Sequence, residues 1–267
     1  MRIIGAIAAL WAVALPLCAE ELAGDIAWLY TADAIVTGTD MRQRPWGFAQ
    51  CLREVLVKLS GDSRLKDDRR VAEFAAHADR FVASFDYADL MAGIKKKDDQ
   101  GSYDRPHRLT VRFDPARIDA ALAALGDKPW RGARPVIVPV LLVRGPKPPS
   151  YMLSADVPAG EEQRGSFAVA ANEFGMTVRF PTERELGAWV ATIDRFAPNL
   201  PSADNSEAIV VGSLDWSETL PGWTGKWKAR WRGVDHSWSI SGVNYDAAFR
   251  DIVRGVVLLA SGNGSPD

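Results

Sequence analysis

The segment Trp223-Thr224-Gly225-Lys226-Trp227-Lys228-Ala229-Arg230-Trp231 alternates strictly. Trp223, Gly225, Trp227, Ala229 and Trp231 share one side of an extended chain, and Thr224, Lys226, Lys228 and Arg230 share the other. A helix would scatter these residues around its circumference, so a β-strand is the conformation that sorts them. Three indoles on one side call for a broad apolar partner, while the charged side calls for water. The strand is therefore expected in an antiparallel sheet with one wet face. Gly233-Val234-Asp235 turns the chain into a return strand, Ser237–Val243. A closing helix from about Tyr245 to Ala260 follows, with Phe249, Ile252, Val253, Val256 and Val257 at helical spacing.

The rest of the chain reads as strands alternating with helices. Trp28–Thr37 alternates as a strand, with Trp28, Tyr30, Ala32, Ala34 and Val36 on one side. Helical spacing then links Phe48, Cys51, Leu52, Val55, Leu56 and Leu59, from Pro45 to the stop at Ser60-Gly61-Asp62. A shorter helix is predicted over Asp67–Ala78, a strand over Phe81–Leu90, a hairpin loop at Lys95–Gly101 and a return strand over His107–Phe113. Asp114-Pro115 opens a helix whose core face is Ile118, Ala121, Leu122 and Leu125. After the Pro/Gly/Trp segment Lys128–Pro135 comes Val136–Val143, an apolar run suited to a strand buried on both faces. Pro139 within it lacks a ladder donor. Gly145–Gly160 reads as a loop, Glu161–Phe174 as a helix and Met176–Phe180 as a strand, and Pro181-Thr182 leads into a helix carrying Leu186, Trp189, Val190 and Ile193. Ala197–Ser206 is a loop and Ala208–Leu214 a strand.

These elements predict an α+β protein of two small sequential α/β modules, with mixed or antiparallel sheets covered by helices. The expected divisions are 1–19, 20–130, 131–262 and a flexible tail, 263–267.

The amino terminus reads as an export signal. Arg2 precedes an apolar run from Ile3 to Leu17, Pro16 breaks it, and Ala19 is the expected cleavage point. Leu17 before Cys18 is too large for lipoprotein processing, so a lipid anchor at Cys18 is not expected. Later apolar stretches such as Val136–Val143 and Val253–Ala260 are too short to span a bilayer, which takes about 20 residues. The mature protein is expected in the periplasm, with Cys51 as its only cysteine and hence no internal disulfide. Removing Arg2 leaves 31 basic against 34 acidic side chains, a net charge of −3. That balance gives no reason to expect nucleic acid, whose binders usually show a basic stripe.

No catalytic or metal motif emerges. His77, His107 and His236 lack the spacing of metal ligands. Ser166 and Ser213 lack the second glycine of a nucleophile elbow. The pairs Asp67-Asp68 and Asp98-Asp99 are sequence neighbours whose side chains point apart, unsuited to a catalytic dyad. Gly262-Asn263-Gly264-Ser265 is followed by no helix, so it is no phosphate loop. No cofactor and no metal are expected.

The candidate binding residues are Trp223, Trp227, Trp231 and His236. The tryptophans are either the core face of the sheet or a partly exposed strip that grips a glycan, a peptide or a partner protein. His236 sits beside Asp235 and Trp238 at the hairpin turn. Lys226, Lys228 and Arg230 are either plain solvent charges or a contact for an anionic envelope polymer.

Several segments occur in a familiar order: Leu52–Asp62, with its Val-Leu-Val-Lys-Leu-Ser-Gly-Asp ending, Leu109–Asp114, Trp130–Pro135, Ala208–Leu214 and Gly222–Trp227. In this order the chain resembles domain-of-unknown-function family number 2066, a set of exported proteobacterial proteins. That family supplies no established activity. The element order of the second half is also similar to the α/β domains of some envelope proteins, which implies fold rather than function. The reading favoured by these features is a non-catalytic binding or assembly factor of the cell envelope, with an envelope protein or polymer as its partner. The alternative is a hydrolase acting on an envelope polymer through residues distant in sequence.

Overall fold

The computed structural model describes residues 26–93, 105–193, 206–219 and 221–266. The expected export segment, the expected Lys95–Gly101 loop, Asp98-Asp99 and nearly all of the expected 197–206 loop lie outside these residues. The elements described are β1 (Thr31–Thr37), α1 (Arg44–Ser60), α2 (Arg69–Ala75), β2 (Val82–Asp89), β3 (Pro106–Phe113), α3 (Pro115–Leu125), β4 (Val136–Arg144), β5 (Tyr151–Met152), α4 (Glu161–Glu173), α5 (Glu183–Ile193), β6 (Glu207–Ser217), β7 (Gly222–Trp231), β8 (Val234–Val243) and α6 (Tyr245–Ser261). The protein is α+β, with a three-stranded antiparallel sheet and a five-stranded mixed sheet.

The first sheet has the order β1-β3-β2. Period-2 alternation turns Ala32, Ala34 and Val36 of β1, and Leu109, Val111 and Phe113 of β3, onto one face. Helix α1 lies against that face with Phe48, Cys51, Leu52, Val55, Leu56 and Leu59, and α3 adds Ile118, Ala121, Leu122 and Leu125. Asp114 caps α3 by accepting from the Arg117 amide at 3.1 Å, as its Asp-Pro start predicts. Trp28 departs from the expected alternation. It sits in a short 3-10 turn, Ala27–Tyr30, and is exposed.

The second sheet has the order β5-β4-β6-β7-β8, with β4 parallel to β6 and its other pairs antiparallel. Helices α4 and α6 cover one face through Phe167, Phe249, Ile252, Val253 and Val256. On the other face Leu186 and Trp189 of α5 pack on Val138, Val140, Ile209 and Val211. That double covering explains the unbroken apolar run of β4.

Pro139 fits because of the side its missing donor faces. The Ile137 amide donates to Thr177 O, away from β6. Pro139 shares that parity, and β5 pairs only with Leu142 and Val143.

Two further sequence expectations are corrected. Met176–Phe180 forms no strand, only a single parallel bridge between Val178 and Ile137. The Gly145–Gly160 loop contains the two-residue edge strand β5.

The two sheets meet at the carboxy-terminal end of α1. Its last carbonyls lack partners inside the helix, and residues from beyond α3 supply them. Arg134 donates to Lys58 O at 2.7 Å, and to Phe174 O and Gly175 O, at the end of α4, at 3.2 and 3.4 Å. The Trp130 amide donates to Leu59 O at 2.6 Å, and Asn263 Nδ2 to Ser60 O at 2.9 Å. The guanidinium of Arg134 thus joins two helix carboxy termini, where a cation is favoured, and stacks on the Trp130 ring at 4.0 Å. Burial lowers its pKa to about 10, which leaves it charged at neutral pH. The expected flexible tail therefore begins with an anchored residue, Asn263.

Candidate functional site

The tryptophan face of β7 is core. Trp227 is 1 % exposed, and Trp223 and Trp231 are 9 % exposed each. The indole of Trp227 lies across Gly225, two residues back on its own strand, and Gly212, its partner on β6. A Cβ at Gly225 would stand 2.0 Å from the ring, and one at Gly212 2.6 Å from it. The Trp227 Nε1–H donates to Asp251 on α6 at 3.2 Å, and Arg254 donates to the same carboxylate. An aromatic strip open to a ligand is therefore not formed by Trp223, Trp227 and Trp231, since the helices that need an apolar partner occupy it. His236 is half-buried at the far end of the β7–β8 hairpin, where Nδ1 lies 3.3 Å from Ser265 Oγ. The structure does not bring it together with the tryptophans into one pocket.

A recess among the described residues lies elsewhere, at the junction of the two sheets. It is a cleft of about 590 Å³ lined by Trp46, Gln50, Arg53, Glu54, Val57, Lys66, Glu173, Phe174 and Arg250. That volume suits a small ligand or a few residues of a polymer. One wall is a second stripe of α1. Trp46, Gln50, Arg53, Glu54 and Val57 recur at intervals of 4, 3, 1 and 3 residues, beside the core stripe. The other wall is the end of α4, with Glu173 and Phe174, and Arg250 of α6.

Charge inside the cleft is largely paired. Arg250 grips Glu173 in a two-pronged fork at 2.9 and 3.0 Å. Glu54 lies 3.3 Å from Lys58, one turn on, and the buried Lys58 ammonium also donates to Thr31 O of β1 at 2.9 Å. Burial raises the Glu54 pKa; Lys58 opposes this, and Glu173 and Asp33 push further upward. Arg53 donates to Ala49 O, and Lys66 is exposed at the rim. Trp46 is 57 % exposed although it sits on a helix whose neighbouring stripe is wholly buried. Cys51, on that buried stripe, has its thiol pKa pushed up by burial, which suits a packing residue and not a nucleophile.

Sequence reasoning missed this site because its members belong to four separated segments. The signal within reach was Trp46, a large aromatic off the core stripe of α1. No group of three or more His, Cys, Asp or Glu among the described residues is arranged to hold a metal ion. No described helix is long and apolar enough to cross a membrane.

Residues 23–131 match the model of a family described as a domain of unknown function, DUF8605. The matched segment carries the first sheet, α1 and one wall of the cleft. Neither the curated proteins nor the solved structures include a significant match to the chain.

Proposed function

We propose that this is an exported, non-catalytic binding or assembly factor of the cell envelope, and that the cleft beside α1 takes its ligand. Trp46 carries the reading. A ring so exposed forgoes the free energy of burial unless something covers it, and aromatic side chains are enriched among the anchors of binding surfaces. Both cleft carboxylates already have cations, Glu54 in Lys58 and Glu173 in Arg250, so the cleft is furnished more for holding than for proton transfer. The sequence pattern of residues 1–19, a basic start, an apolar run and a small residue at the expected cut, supports the envelope as the place of work.

A hydrolase reading has one specific observation in its favour. Glu54 holds its proton to higher pH than an ordinary glutamate, and a second carboxylate, Glu173, shares its cleft. Two carboxyls in different surroundings are what glycoside hydrolysis uses. Capture from envelope extracts by mature wild-type protein and by Trp46→Ala separates the cases. The binding reading expects components retained intact by wild type and lost by the variant. If wild type instead releases cleaved products while Glu54→Gln retains them whole, the protein is a hydrolase.

A further inference from the structure

The outward face of the second sheet carries a second, separate feature. Lys226 and Lys228 are exposed, two residues apart on β7, with their ammonium groups on the side away from α4 and α6. In the sheet register Lys226 lies between Ser213 of β6 and Ser239 of β8, and Lys228 lies opposite Ser237. These residues line a depression of about 360 Å³. Neighbouring outward cations on this sheet are neutralised: Arg230 bonds Asp235 at 2.6 Å, and Arg144 bonds Asp215 at 2.5 Å. Asp215 also accepts from Ser213 Oγ at 2.7 Å. The two lysines have no carboxylate within ion-pair distance among the described residues, although Asp235 feels the charge of Lys228. The hydroxyls of Ser237 and Ser239 are exposed beside them.

Two like charges on alternate residues of one strand stand roughly 7 Å apart and repel each other. Elsewhere this sheet relieves such charge with an acid, but here the flanking positions are hydroxyls. Ammonium groups and hydroxyls together suit an oxyanion: the cations supply charge, and the serines supply short donors that reach the remaining oxygens.

We propose that this face binds a phosphate-bearing anion with at least two charged oxygens, using Lys226 and Lys228 as counter-charges and Ser237 and Ser239 as donors. The site is independent of the cleft beside α1.

The test uses the mature protein with inorganic tripolyphosphate in calorimetric titration, and with mixed phosphatidylcholine–phosphatidylglycerol vesicles in co-sedimentation. Lys226→Gln/Lys228→Gln is expected to lower affinity by about tenfold per lysine, the scale of one charge-assisted hydrogen bond. Lys128→Gln/Lys147→Gln, equal in charge and exposed elsewhere, should leave it unchanged. Ser237→Ala/Ser239→Ala should weaken binding without altering net charge. Tripolyphosphate binding that follows this pattern supports a soluble phosphate ligand. Vesicle binding alone, with the same lysine dependence, supports a lipid phosphate. Binding of neither probe, or equal losses in both lysine variants, overturns the proposal.

Discussion

Single residues set the terms of both the core and the cleft. Trp227 fits because two glycines make room beneath its ring and Asp251 receives its N–H. Trp227→Phe keeps most of the apolar contact but leaves Asp251 with one donor fewer. It should cost about 1–3 kcal/mol, read from urea unfolding, as for a buried acceptor losing a partner. Glu54 offers a test by pH. Its folded form binds a proton more tightly than its unfolded form, whose pKa is the ordinary 4.5. Between that value and the raised folded value the native state holds more protons, so this group's contribution to stability falls as pH rises. Urea midpoints of wild type should therefore decline relative to Glu54→Gln as pH climbs above about 4.5. A wild type that instead gains on the variant across that window would show that the Lys58 pair outweighs burial.

At the level of elements, α1 serves two purposes with two stripes. The apolar one was legible, because Phe48, Cys51, Leu52, Val55, Leu56 and Leu59 repeat with the helical period and nothing competes with that pattern. The cleft stripe was not, because apart from Val57 its residues are polar or singly aromatic and gain meaning only when Glu173 and Arg250 arrive from other helices. The β7 alternation was legible for the same reason as the core of α1, and its buried tryptophans follow from helices waiting to cover them. Met176–Phe180 failed as a strand because β4 offers it only Ile137 before the chain departs toward α5. The capping of the α1 terminus was likewise hidden: Trp130 and Arg134 lie in a segment whose Pro/Gly content reads as a connector. Arg134→Met would leave the Lys58, Phe174 and Gly175 carbonyls without that donor. It should lower stability by about 2–4 kcal/mol in denaturant titration, in line with removal of a partly buried charged donor. Arg134→Lys should not restore it, since one ammonium cannot reach both helix ends or stack on Trp130 in the same way.

For the whole molecule, the two sheets have separate apolar cores and meet at the Arg134 junction. The junction borders the cleft through Phe174, whose carbonyl accepts from Arg134 and which lines the cleft. Export remains a proposal, and amino-terminal sequencing of the protein from a producing cell should give Glu20 as the first residue; a start at Met1 would refute it. The proposal that the cleft beside α1 holds an envelope ligand through Trp46 carries the functional reading. Its most direct measurement is quantitative recovery from envelope extract on immobilised mature protein, wild type against Trp46→Ala. Loss of an anchoring aromatic should reduce recovery of the bound component by about tenfold or more. Equal recovery by both proteins would contradict the claim.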